Sequence, residues 1–283
     1  MRPSEEGTSV MSFSKLRSGV TACLFAAAMV VGGAMTPAKA ITIDLGFAVD
    51  SSGSINTTNF NTVKTALANA IANIVPTATA NVTYRVSVVN FSNTAQTVIT
   101  RTIGDASDLL AVKNAVLGMS KIGSTTCISC AANQLTANFG GAVLGSQFSL
   151  MNIFTDGEPV SDPQPNGATL RGILTAAGWD SISAEAVGNF DLTYLSNLVY
   201  PNPGTIIDGS PGHTLADIPN PLTQGFILKL ADYDAYAAAV NAKLQKIVNN
   251  VVPIPAALPL LLSGFAAVGF LARRRRKISA LAT

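Results

Sequence analysis

Residues 41–49, Ile-Thr-Ile-Asp-Leu-Gly-Phe-Ala-Val, form an apolar, β-branched run that ends on Asp50-Ser51-Ser52-Gly53-Ser54. Apolar density of this kind reads as a strand covered on both faces, as in a parallel α/β sheet. The polar cluster then falls at the strand's C-terminal end, the edge where ligands bind in open α/β sheets. Asp50, Ser52 and Ser54 offer three oxygen donors at alternate positions, and Gly53 lets the backbone turn tightly enough to aim them inward. All-oxygen ligation suits a hard dication such as magnesium, manganese or calcium better than zinc. Taken alone, the stretch also fits an ordinary turn, because Asp, Ser and Gly are common turn residues.

The arrangement recurs downstream. Phe148 to Phe154 reads as another buried strand and ends in Thr155-Asp156-Gly157-Glu158-Pro159, so an acid again sits at a strand's C-terminal end. Apolar periodicity predicts helices over 56–74, 105–119, 127–139, 169–177, 191–199 and 233–248. It predicts further strands over 82–91, 97–102, 181–187 and 225–230, with 97–102 at an edge. Strands alternating with helices at this spacing imply an α/β fold with a doubly wound, mostly parallel sheet. Residues 200–224 are rich in Pro, Gly and Asp and read as a long surface loop. His213, the sole histidine, lies in that loop, and no serine or cysteine nucleophile motif is available to pair with it. No Gly-x-Ser-x-Gly elbow or phosphate-binding loop is present, and Ser52 has only metal-ligand candidates beside it, so an enzyme is not expected.

The net charge of +2 conceals an uneven distribution. Setting aside the first forty residues and the cluster Arg273 to Lys277 leaves 9 basic against 14 acidic residues, near −5. A nucleic-acid partner is therefore not expected, since phosphate backbones require a basic patch. Arg17, the apolar run Val20 to Ala34 and the small-x-small triplet Ala38-Lys39-Ala40 read as a secretory signal peptide cleaved after Ala40. Initiation at Met11 would remove Glu5 and Glu6, which are odd in such a leader. Export would place the remaining cysteines, Cys127 and Cys130, in a compartment that permits disulfides. Their C-x-x-C spacing fits a local structural disulfide first, with a redox pair or a metal knuckle as alternatives. At the other end, the apolar run Ala256 to Ala272 is within range of a membrane span, and the basic cluster after it should stay cytoplasmic.

Read together, Asp50-Ser51-Ser52-Gly53-Ser54, Thr125 after Gly123-Ser124, and Thr155-Asp156-Gly157 resemble the metal-ion-dependent adhesion site (MIDAS) of von Willebrand factor type A (VWA) domains. Three loops match in order and spacing, which is far more specific than any one of them. The resemblance covers about residues 41–249 and implies a Rossmann-like fold. It further implies that Ser52 and Ser54 ligate a metal through their hydroxyls, that Thr125 does so in the ligand-bound state, and that Asp50 and Asp156 act directly or through water. Magnesium is the expected ion, with manganese or calcium as alternatives. Cys130 departs from the pattern, because many members carry a small residue there. In the family, ligand exchange at the metal can couple to movement of the last helix, here 233–248.

The tail, Val-Pro-Ile-Pro-Ala-Ala-Leu-Pro-Leu-Leu-Leu-Ser-Gly from Val252, resembles a PEP-CTERM sorting signal of Gram-negative bacteria. Ile254-Pro255 stands where the family's name leads one to expect Glu before Pro. The resemblance implies recognition by an exosortase, transient anchoring in the inner membrane, removal of the hydrophobic segment, and delivery to the cell surface or an extracellular matrix. The domain order is then a signal peptide (1–40), a VWA domain (41–249) and a sorting segment (250–283). The expected function is metal-dependent adhesion to an acidic residue of a protein or matrix ligand. The alternative is a structural matrix protein whose metal only secures the fold.

Overall fold

The computed structural model describes residues 41–79, 81–140, 146–160, 162–208 and 217–251. The leader with Ala40, His213 and the segment from 252 onward, including 256–272, lie outside the described residues. Among the described residues, no helix is long and apolar enough to cross a membrane.

Seven strands form one sheet in the order β3-β2-β1-β4-β5-β7-β6. They are β1 (Ile41–Asp50), β2 (Val82–Phe91), β3 (Ala95–Ile103), β4 (Phe148–Thr155), β5 (Ser181–Val187), β6 (Ile206–Asp208) and β7 (Ile227–Leu230). All neighbours pair in parallel except β2 and β3, which are antiparallel. The helices are α1 (Thr57–Ile74), α2 (Ala106–Leu117), α3 (Ile128–Asn138), α4 (Gly167–Ala176), α5 (Leu192–Leu198) and α6 (Ala235–Val251). This is the doubly wound α/β sheet that the sequence predicts.

Strand alternation sorts the core into two halves. Ile43, Leu45, Phe47 and Val49 of β1 face a cluster built with Phe60 and Leu67 of α1, Val112 of α2, and Tyr236, Val240 and Leu244 of α6. Ala48 faces the opposite cluster, with Leu135 of α3, Leu170 and Leu174 of α4, Leu195 of α5, and Trp179. Burial on both faces explains why β1 reads as an uninterrupted apolar run. Each large side chain removed from water contributes about 1.5–3 kcal/mol.

Local chemistry sets the helix starts. Asn56 accepts the Asn59 N–H and opens α1, while Asp105 and Asp108 form a reciprocal capping box at α2. Most element ends fall within two residues of expectation, and two departures go further. The 200–224 segment contains β6, a three-residue parallel partner of β7, and Tyr200 bridges to Ile182. The closing helix runs on to Val251, beyond the expected 248.

Candidate metal centre

Parallel registry brings the acidic strand ends together. Val49 of β1 pairs with Phe154 of β4, so Asp50 and Thr155-Asp156 leave the sheet side by side. Asp50 is fully buried, and its Oδ1 accepts the Ser52 N–H at 2.8 Å while Oδ2 accepts the Thr155 hydroxyl at 2.7 Å. The Ser52 and Ser54 hydroxyls lie 3.1 Å apart, and Ser54 donates to Asp156 Oδ1 at 2.6 Å. Tyr233, just before α6, donates its hydroxyl to Asp156 Oδ2. Asp50, Ser52, Ser54 and Asp156 thus share one hydrogen-bonded cluster at the C-terminal edge of the sheet.

The loop that carries Thr125 is tied to this edge from below. Ser92, after β2, donates its hydroxyl to the Thr125 carbonyl at 2.7 Å and accepts the Cys127 N–H on its own carbonyl at 2.8 Å. Gly53 donates its N–H to the Ser124 carbonyl at 3.0 Å, and a Cβ on Gly53 would sit 3.0 Å from that same oxygen. Glycine therefore eases the close approach, since any Cβ there would force the Ser124 carbonyl to shift by a few tenths of an ångström. Thr125 and Thr126 both line a cleft of about 450 Å³ together with Ser54, Asp156, Gly157 and Glu158. Thr125 is half-buried, whereas Thr126 is buried at 4% exposure. A Cβ on Gly157 would lie 2.9 Å from Thr126 Oγ1 and 3.7 Å from Ser54 Oγ, which puts the Thr126 hydroxyl on the cluster's side of the loop.

Cys127 and Cys130 form a disulfide across the first turn of α3, with Cys127 as the N-cap. The helix starts in the ordinary way at Ile128 despite Cys130, and Asp162 satisfies the Ser129 N–H at 2.8 Å.

The electrostatics favour a cation. Burial pushes the Asp50 carboxyl up from 3.8 to about 6; hydrogen bonds from Thr155 and Ser52 oppose the rise, and the charge of Asp156 adds to it. The Tyr233 phenol is raised, first by its own burial and then by its bond to Asp156. Among the described residues, no group of three or more His, Cys, Asp or Glu side chains could hold a metal. The cluster offers two carboxylates supplemented by neutral hydroxyls instead, an all-oxygen set that fits a hard dication.

Sequence reasoning missed two groups, Thr155 and Tyr233, which orient the two carboxylates. Thr155 directly precedes the strand-end acid, a position that could have flagged it. Tyr233 lies 77 residues from Asp156, and no local signal joins them.

A sequence profile of the von Willebrand factor type A domain matches residues 44–188, more than half of the chain. The chain belongs to the VWA domain family. No curated protein sequence matches it. Among solved structures, the VWA fold here is similar to proximal thread matrix protein 1 from the mussel byssus, at 18% identity and a TM-score of 0.52 over 73% of this chain and 46% of that one. It is also similar to a von Willebrand factor type A protein from Catenulispora acidiphila, at 15% identity and a TM-score of 0.50 over 73% and 42%. A form of the mussel protein with a zinc-occupied MIDAS motif aligns at 17% identity and a TM-score of 0.48 over 72% and 46%. The chain spans less than half the length of each of these proteins.

Proposed function

We propose that this VWA domain holds a divalent cation at the cluster of Asp50, Ser52, Ser54 and Asp156, with a threonine of the 125–126 pair, and uses it to bind a carboxylate on a protein or matrix partner. The convergence of two carboxylates through the Ser52–Ser54 hydroxyl pair, with Ser54 and Asp156 lining an open cleft, carries this reading. Asp50 and Asp156 balance the charge of one dication, and the hydroxyls add none. A bound ion therefore supplies a Lewis-acidic position still attractive to an outside anion. The side chains do the positioning: Thr155 and the Ser52 N–H hold Asp50, while Ser54 and Tyr233 hold Asp156. Magnesium is the expected ion, with manganese or calcium as alternatives.

The leader ending at Ala40 and the tail from Val252 support export, sorting by an exosortase and residence at the cell surface or in a matrix. Adhesion, not catalysis, is the task proposed. Calorimetric titration of magnesium, manganese and calcium into the full chain tests it, with Asp50→Ala and Asp156→Ala as controls. Absence of divalent binding to the unsubstituted chain would remove the mechanism.

A further inference from the structure

Away from the metal cleft, three polar side chains meet inside the core. Lys243 of α6, Asn152 of β4 and Glu185 of β5 are 4%, 5% and 0% exposed. Lys243 Nζ contacts Asn152 Oδ1 and lies 3.0 Å from Glu185 Oε1. Registry explains the meeting: Asn152 pairs with Ser183 and Phe154 with Glu185, so Asn152 and Glu185 project from the same face of neighbouring strands toward α6. The surroundings are apolar, with Nζ 5.2 Å from the Phe226 ring centroid and Phe154 edge-on to Tyr236 at 4.7 Å.

A buried ion pair of this kind needs full satisfaction of its polar atoms to break even. Here Glu185 Oε2 and the Tyr236 hydroxyl have no hydrogen-bond partner among the described residues. An open carboxylate oxygen thus sits beside an amine and a carboxamide, the three groups that an amide exchange requires.

We propose that Lys243 and Asn152 become joined by an intramolecular isopeptide bond, formed in the folded chain with Glu185 as the acid–base group. Nζ attacks the Asn152 side-chain carbonyl carbon; the Nζ–Cγ bond forms and the Cγ–Nδ2 bond breaks. Two protons leave the Lys243 ammonium through the Glu185 carboxylate and pass to Nδ2, which departs as ammonium with the electron pair of the broken bond. Glu185 ends as the carboxylate it began as, and nothing is oxidised or reduced. Burial favours the neutral, nucleophilic amine and lowers the Lys243 pKa, opposed by the charge and hydrogen bond of Glu185. Fixed contact between amine and amide supplies the proximity that raises effective concentration by factors of about 10⁵ or more. The dry site keeps water from competing for the carbonyl. A cavity of about 10 Å³ lined by Asn152, Ser183 and Lys243 adjoins the reacting atoms and is of the size of one small leaving molecule.

The product fastens the closing helix to the central strand that ends at Thr155, just before Asp156, across 91 residues of sequence. A pull on the chain beyond Val251 could then not peel α6 from the sheet, which suits a domain under mechanical load.

Mass spectrometry of the full chain, after reduction and alkylation of its cysteines, tests the proposal without any substitution. The expected result is a mass lower than the sequence requires by one ammonia. A tryptic digest should then yield one linked species, the peptide ending at Arg171 joined to the one running from Leu230 through an uncleaved Lys243 to Lys246. Two separate peptides with cleavage after Lys243 would overturn it, as would a link formed with loss of water, which would join Lys243 to Glu185 instead. The Glu185→Gln chain should carry the full mass and no link. A link formed to the unsubstituted extent in that variant would remove Glu185 from the mechanism.

Discussion

The Tyr233 hydroxyl donates to Asp156 Oδ2, so the segment that opens the last helix holds one of the two carboxylates of the candidate metal centre directly. A hydrogen bond to a charged group contributes about 1.5–3 kcal/mol. In the metal-free protein this bond is one of two that compensate Asp156, the other coming from Ser54. A dication bound there would take over much of that compensation.

Tyr233→Phe should therefore destabilise the metal-free protein by about 1–3 kcal/mol and the metal-saturated protein by less. The stabilisation conferred by saturating magnesium then grows in the variant. Urea denaturation with chelator and with magnesium reads both quantities, and an equal loss in the two conditions would separate Tyr233 from the metal site.

Asp50 gives the centre a pH signature whose sign depends on the metal. Its folded-state pKa is raised from 3.8 to about 6, so in the metal-free protein the folded state binds the proton more tightly than the unfolded chain. The stability contributed by that proton is present in full below about 3.8 and is lost as pH rises through about 6. Metal binding needs the carboxylate, so magnesium affinity should rise over the same window as the proton is displaced. Denaturation at a series of pH values, with chelator and with magnesium, should give opposite slopes for this group. Parallel slopes would show that Asp50 does not contact the ion.

Much of this architecture is legible in the sequence, and the exceptions have physical reasons. The strand Ser181–Val187 keeps its predicted ends, since every residue in it is buried and Asp180 and Gly188 bound it directly. β6 escapes notice because it spans three residues, Ile206–Asp208, too few for any alternation to register. Asp50, Ser52, Ser54 and Asp156 stand out because acids and hydroxyls interrupt apolar runs at strand ends. Lys243, Asn152 and Glu185 do not, because each lies inside a helix or strand among other polar residues, where no strand end or turn marks it. Lys243 falls beside Leu244 on the face already marked by Tyr236 and Val240, and its meaning appears only when α6 is laid on β4 and β5.

The adhesive and purely structural readings of the metal diverge at a single measurement. Asp156→Ala removes a cleft-lining carboxylate while leaving the two core clusters untouched. Adhesion predicts that attachment to the producing cell's own matrix falls at least tenfold in this variant and equally in the unsubstituted chain with chelator. A metal that only secures the fold predicts a lower melting temperature with attachment unchanged.

The threonine pair offers the sharpest test of the site's detail. The Gly-x-Thr pattern points to Thr125, whose carbonyl is already engaged by Ser92 and whose side chain is half-buried. The packing points to Thr126, which is buried and lies with its hydroxyl against Gly157, on the side of the loop where Ser54 also sits. Valine replaces a threonine hydroxyl with a methyl group of similar size, so Thr126→Val removes an oxygen donor without opening a cavity. Magnesium affinity should fall about tenfold in Thr126→Val, equivalent to about 1.4 kcal/mol. Thr125→Val should stay within about twofold, since it keeps the carbonyl that anchors the loop and loses less than 0.5 kcal/mol. Calorimetry on the two variants decides between them, and the reverse order would assign the ligand role to Thr125.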